Sequence, residues 1–263
     1  MQITRAFALA ALLPLVAATA GAQESADWDW RGTMGNGRTL YLHNVNGSVR
    51  VETGSGNTVE VRAVKRWRRG NPEDVRIEAR MAGGGNGDVI VCALWHERAT
   101  CDEDGIRNDS DRGRNWRNND VSVEFTVRVP ATARVHTNTV NGEITIDEVE
   151  GDVRAQTVNG DIDARSKGGR VEANTVNGSI TVGGRISGNG VNYSTVNGSI
   201  TIELPANANA DVDLSVVNGR IATEFPITFD GTINPRHIRA EIGEGGPRLR
   251  ARTVNGGIRL RRM

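Results

Sequence analysis

Large side chains are what this sequence has least of. Phe, Tyr and Trp together make up 4% of its 263 residues. A compact globular core of ordinary thickness would want more Leu and Phe; a thin core filled by Val and Ile would not. Net charge is missing too. Lys and Arg number 32 and so do Asp and Glu, so overall electrostatics give no reason to expect nucleic acid or an anionic membrane as partner. Histidine occurs four times, as His43, His96, His136 and His237. None of these stands in H-E-x-x-H, and neither G-x-S-x-G nor a phosphate-binding Gly-rich loop occurs. The sequence therefore assigns no catalytic, cofactor-binding or metal-binding residue and predicts a protein that is not an enzyme.

Long apolar runs are absent except at the start. Arg5 precedes a run over Ala6–Ala18, and Ala20-Gly21-Ala22 supplies an A-x-A site. That pattern predicts a secretory signal peptide over residues 1–22, cleaved before Gln23. The run is too short to span a bilayer, and no second one follows. No cysteine stands at the cleavage site, so a lipid anchor is not expected. The expected mature chain is exported, periplasmic or extracellular. Removing Arg5 leaves 31 basic against 32 acidic residues, a net of −1.

Only two cysteines occur, Cys92 and Cys101. In an exported chain such a pair predicts a disulfide, whose short loop contributes ~2–3 kcal/mol. The rival reading is a metal site with His96, as C-x3-H-x4-C. It fits no standard zinc spacing and supplies only three ligands, so the disulfide is preferred.

What the sequence has in abundance is glycine, 32 residues, and one phrase. Thr-Val-Asn-Gly stands at Thr139–Gly142, Thr157–Gly160, Thr175–Gly178, Thr195–Gly198 and Thr253–Gly256. Near copies are Asn44-Val45-Asn46-Gly47 and Val216-Val217-Asn218-Gly219, with a degraded one at Thr232-Ile233-Asn234-Pro235. From 139 the starts lie 18, 18, 20, 21, 16 and 21 residues apart. Between them glycine recurs every nine residues, at Gly142, Gly151, Gly160, Gly169 and Gly178, each opening a short alternating strand such as GEITI or GDVRA. No window holds a convincing helical period. The fold class is all-β, and such self-similarity marks a stacked repeat.

Two architectures fit. In a single-stranded β-solenoid, each coil of about 18 residues holds two strands and equivalent strands stack in parallel. The Asn–Gly pairs then form one edge: Asn46–Gly47, Asn141–Gly142, Asn159–Gly160, Asn177–Gly178, Asn197–Gly198, Asn218–Gly219 and Asn255–Gly256. Their amides bond as a ladder, with Asn tolerating a left-handed bend and Gly taking φ > 0. In an antiparallel meander, each Asn-Gly is a two-residue hairpin turn. The solenoid is preferred because a hairpin has no need of the same tetrapeptide in every copy, whereas a stack rewards identical neighbours. A hexapeptide helix is excluded, since its register from Ile146 lands on Asp152. The predicted core row is Ile144, Ile146, Val153, Ala155, Ile162, Ala164, Val171, Ala173, Ile180, Val182, Ile200, Ile202, Val212, Leu214, Ile221, Ile258 and Leu260. The motif then reads as structural spine, and the opposite edge, lengthened at residues 183–190, together with the first-half loops, becomes the expected place for contacts. The Arg-rich C-terminus, Arg248 to Arg262, is expected to close the stack as a charged terminal coil.

Residues 23–120 read as an irregular β region continuous with the solenoid, and 121–263 as the regular repeat. Polar loops at 65–72 and 99–120 interrupt the first part. The second is Asp-rich but lacks the D-x-[DN]-x-[DN]-G calcium spacing. Lys65-Arg66-Trp67-Arg68-Arg69 surrounds an aromatic with basic residues, as nucleic-acid sites can, but a solvated loop is the better reading. Glu143, Asp147, Asp161, Asp163 and Glu172 occupy outward positions. Carboxylates paired about 5–9.5 Å apart would support glycoside hydrolysis, although outward acids are also what any solvated sheet shows.

The chain resembles the bacterial "putative adhesin" family of β-strand-repeat domains. The resemblance rests on DWDWRGTMGNGRTLYLHNVNGSV, VSVEFTVRVPATARV, the tandem TVNG units and GEGGPRLRARTVNGGIRL, in that order. It implies a secreted or surface β-helical scaffold without established enzymatic activity. The resulting expectation is an exported, non-enzymatic, adhesin-like binding or structural module of the cell envelope, with an envelope glycan or protein as ligand and no nucleic acid. A carbohydrate-active enzyme on the same scaffold and an envelope-stress or regulatory component are the alternatives.

Overall fold

The computed structural model describes residues 24–82, 87–107, 119–186, 188, 190–229 and 234–263. The expected signal peptide lies outside the described residues. The alternating stretches become strands β1 (Glu24–Thr33), β2 (Thr39–His43), β3 (Val49–Thr53), β4 (Thr58–Trp67), β5 (Arg76–Ala82) and β6 (Asp88–Leu94). A hairpin of β7 (Thr100–Asp102) and β8 (Gly105–Arg107) precedes β9 (Ser122–Val129). The repeats follow as pairs: β10 (Arg134–Asn138) with β11 (Ile144–Val149), β12 (Val153–Gln156) with β13 (Ile162–Ser166), and β14 (Val171–Asn174) with β15 (Ile180–Gly183). Then come β16 (Val191–Asn197) with β17 (Ile200–Leu204), and β18 (Ala210–Asn218) with β19 (Ile221–Thr223). The chain ends with β20 (Ile227–Phe229), β21 (His237–Ile242), β22 (Arg248–Asn255) and β23 (Ile258–Arg262). Among the described residues there is no α-helix.

The two strands flanking each Asn-Gly lie in different sheets, which decides against the meander. A hairpin would pair β10 with β11. Instead β10 pairs in parallel with β2 and β12, while β11 pairs in parallel with β3 and β13. The register keeps like residues together: Ile144, Ile162, Ile180, Ile200 and Ile258 share one row, and Val135, Val153 and Val171 another. One strand from each sheet makes a coil, and alternate side chains point into the space between the sheets. They form one buried cluster from Met34 to Leu260 that includes the expected core row, with Ile221 half-buried against it.

Stacking follows chain order only in the middle. The first sheet runs β1-β4-β9-β3-β11-β13-β15-β17-β23-β19 and the second β20-β21-β18-β22-β16-β14-β12-β10-β2-β6-β5. The C-terminal coil, β22 with β23, is therefore inserted between the β16–β17 and β18–β19 coils. This corrects the expectation that it closes the stack. The outermost positions at that end belong to β19 in one sheet and to the antiparallel pair β20–β21 in the other. At the opposite end β1, β4 and β5 cap in antiparallel fashion, and Trp28, Trp30, Trp67 and Trp95 pack half-buried against the core. Here β6 and β9 form the outermost coil.

Candidate functional site

Each residue of Thr-Val-Asn-Gly has its own role at the corner. The threonines are buried, and each hydroxyl donates to a glycine carbonyl on the neighbouring coil: Thr157 to Gly142 at 3.1 Å, Thr175 to Gly160 at 3.1 Å, Thr195 to Gly178 at 2.9 Å and Thr253 to Gly198 at 2.8 Å. Where the first copy has Asn44 for Thr, its buried amide donates to the carbonyls of Gly47 (3.0 Å) and Val123 (2.9 Å). The glycine is required by proximity. A Cβ at Gly160 would lie 2.0 Å from the Gly142 carbonyl oxygen. Left-handed backbone, expected for both Asn and Gly, is found at Gly47 (φ 116), where a Cβ would also lie 2.2 Å from the Val123 carbonyl oxygen, but not at Gly160. The only non-glycine positive φ among the described residues is at Glu148. The corner asparagines thus bend without leaving ordinary backbone space, and their contribution is the side-chain amide.

Those amides form a continuous ladder. Asn141 Nδ2 donates to Asn46 Oδ1 at 2.7 Å, and the pattern continues through Asn159, Asn177 and Asn197 at 2.8, 2.8 and 2.7 Å. Asn255 then donates to Asn197 at 2.8 Å and Asn218 to Asn255 at 2.9 Å. The out-of-order coil thus sits in the ladder at its spatial place. Each internal amide spends one N–H and one acceptor site on its neighbours, leaving one N–H and one lone pair for solvent or a ligand. Beside the ladder, Val140, Val158, Val176, Val196, Val254 and Val217 turn outward, 38–51% exposed. One edge of the molecule is therefore a straight, neutral stripe of valine and amide, repeating at about 4.8 Å.

The described parts of the first-half loops are held in place. Asp120 accepts from the backbone N–H groups of Gly70 (2.8 Å), Arg69 (3.2 Å) and Arg68 (3.3 Å), bonds that lower its pKa. Lys65 Nζ donates to the Pro72 carbonyl at 2.9 Å, and Arg66 pairs with Glu124 at 2.8 Å. The basic cluster is thus tied to its own surroundings. In the 99–120 loop, residues 108–118 lie outside the described residues. Its first part folds back as the β7–β8 hairpin onto the outer face of the second sheet, where Cys92 and Cys101 are joined in a disulfide. Ile90, Cys92, Leu94 and Ala99 are buried beneath it as a second apolar cluster, with Tyr41, Cys101 and Ile106 against them. Arg76 fastens the backbone by donating to the Glu97 (3.0 Å) and Ala99 (3.1 Å) carbonyls.

His43 is enclosed in the same place, 3% exposed. Burial holds its pKa below 6.5, outweighing the nearby Asn138 amide and Asp102 charge. His136, edge-on to the Tyr41 ring at 5.3 Å, is also lowered, by burial and by Arg154. His96 instead accepts from the Arg98 N–H within its own turn at 3.1 Å. His237 Nε2 lies 3.0 Å from Asp213. Burial alone would raise the Asp213 pKa, but His237, Arg250 and Arg239 bring it below its ordinary value. A shallow hollow of about 780 Å³ lies over β1, β4 and β9, lined by Asp29, Arg31, Glu60, Arg62, Glu124 and Arg128 among others. Its charges largely neutralise one another, as in Arg31–Glu60 and Arg128–Glu60.

The five carboxylates do not all share one face, although the register sets Glu143 and Asp161 on neighbouring coils. Glu172 projects from the second sheet and pairs with Arg170, whereas the others belong to the first. Asp147 faces Arg50, Asp163 faces Arg165, Asp161 accepts from the Ser179 N–H, and Glu143 accepts from the Thr145 hydroxyl. The exposed valine row escaped the reading of the motif as spine alone, although the constancy of an outward valine in every copy was its signal.

A family model described as Toastrack DUF4097 matches residues 38–261. Among solved structures, the fold is similar to a "putative cell adhesion protein" from Clostridium sporogenes ATCC 15579, at 9% identity over 92% of this chain and 100% of that one, TM-score 0.43. It is also similar to a "putative adhesin" from Bacteroides fragilis NCTC 9343, at 11% identity over 92% and 98%, TM-score 0.42. No curated protein matches the sequence.

Proposed function

The chain belongs to the Toastrack family, and from that premise we propose that it is an exported, non-enzymatic, adhesin-like module of the cell envelope that binds through its valine–asparagine edge. The carrying observation is the row of outward valines beside the amide ladder. These valines stack on one another from coil to coil, yet each keeps 38–51% of its surface exposed, and regular exposed apolar surface marks interaction sites. Free amide donors and acceptors at a fixed short interval suit a linear ligand that repeats its own hydroxyls and C–H faces. A neutral envelope glycan is therefore the favoured partner over a protein. The near-zero net charge argues against nucleic acid.

The test is a glycan array and an envelope-polysaccharide pull-down with the mature chain, residues 23–263. Retention of one or more neutral linear glycans is expected. Binding of none of them, or retention of proteins alone, contradicts the glycan reading.

A further inference from the structure

Beneath the β7–β8 hairpin the fold leaves one buried group without a well-formed hydrogen bond. His43 is enclosed, yet neither Nδ1 nor Nε2 makes a hydrogen bond of good geometry, although the Asn138 side chain and the Asp102 and Glu103 backbone lie near it. Buried polar atoms are rarely left so without a role or a missing ion. His43 is also the register partner of Cys92 on the adjacent parallel strand. Their side chains leave the same face of the sheet one strand apart, about 5 Å. Cys92 is bonded to Cys101, so two sulfurs and an imidazole without a well-formed hydrogen bond meet in one enclosed place.

We propose that reduction of Cys92–Cys101 converts this place into a zinc(II) site with Cys92, Cys101 and His43 as ligands and water in the fourth position. Cys101 is the half-buried and Cys92 the fully buried sulfur, so a dithiol reductant attacks Cys101. A mixed disulfide forms and Cys92 leaves. The second thiol of the reductant then displaces Cys101, and the reductant ends as a disulfide while both cysteines become thiols. Zinc binding releases their two protons. With Zn–S bonds of about 2.3 Å, a tetrahedral pair of thiolates stands about 3.8 Å apart. From a disulfide of about 2.05 Å that separation requires less than about 2 Å of movement, within reach of side-chain rotation. The surrounding apolar cluster, Ile90, Leu94 and Ala99, shields the site from bulk solvent while leaving the half-buried Cys101 side open to one water. Disulfide-bonded sulfurs are not thiolates and do not ligate zinc, so the proposed site belongs to the reduced state alone. The zinc reading available from sequence used His96, which the fold turns elsewhere. The third ligand comes from β2, far upstream.

The experiment titrates Zn(II), against a chromogenic chelator, into the full mature chain reduced and freed of reductant under anaerobic conditions. One zinc per reduced chain is expected, and none for the oxidised chain. Loss of a supporting partner alone typically weakens a site 10–100-fold, so His43→Ala is expected to weaken binding at least about tenfold. His96→Ala should leave it unchanged. Melting curves establish that each reduced variant is folded. In the reduced wild type, zinc should also protect both thiols from alkylation, a readout needing no substitution. Zinc-free reduced protein, equal binding by the oxidised chain, unprotected thiols, or a site lost with His96 rather than His43 would each overturn the proposal.

Discussion

At the residue scale, the repeated tetrapeptide divides its labour. Thr satisfies a carbonyl of the next coil, Asn builds the ladder, Gly leaves room for the neighbour's backbone, and Val faces outward. Asn177→Ala breaks two ladder bonds and should cost about 1 kcal/mol in denaturant unfolding. The exposed control Arg154→Ala should stay within about 0.5 kcal/mol. Equal effects would mean that the ladder contributes nothing. Gly160→Ala should cost about 3 kcal/mol or more in the same assay, because the 2.0 Å approach cannot be relieved without parting the coils. The buried histidines set the response to pH. With folded pKa values held below 6.5 for His43 and His136, the unfolded chain takes up protons first as pH falls. Stability is thus full above 6.5 and declines below it toward the folded values. The melting temperature should fall from pH 7 to pH 5, and His43→Leu should flatten that fall. An unchanged slope would remove His43 from the account.

At the element scale, the parallel stack was legible because the repeat states its period, and because Ile144, Ile162 and Ile180 recur at the same step after each glycine. The order of coils at the ends was not. Thr253–Gly256 fits beside either Thr195–Gly198 or Val216–Gly219, since every coil offers the same edge, and pairwise register gives no preference. What decides is the antiparallel β20–β21 extension, which occupies the far side of β18 and leaves only its other side for β22. The amide ladder was readable from the recurrence of Asn, but the pairing of His43 with Cys92 was not, because it joins strands from distant parts of the chain. The inserted coil has a kinetic and a protective consequence. Lying between two others, β22 and β23 should exchange their amide hydrogens as slowly as β16 and β17 in native-state hydrogen exchange. Rapid exchange, as at a frayed terminus, would contradict the observed order.

At the scale of the whole molecule, the stack is capped at one end and in one sheet at the other, where β19 remains an edge strand of the other sheet, and the proposed contact surface is the valine–asparagine edge. Tryptophans and antiparallel strands seal one end, β20 and β21 cover one sheet at the other, and charges on the outer faces pair with each other. Among the described residues, the valine–asparagine edge combines exposed apolar surface with spare amide groups. The most direct measurement is the affinity of residues 23–263 for a glycan that they retain, compared between Val140→Glu/Val176→Glu and the sheet-face control Arg154→Glu, each with its melting temperature. The two edge positions are two coils apart, which limits repulsion between the new charges. The account predicts that the edge variant stays folded and loses about tenfold or more in affinity, roughly 1.4 kcal/mol, while the control binds as before. A folded edge variant with undiminished affinity, or a loss confined to the control, would contradict it.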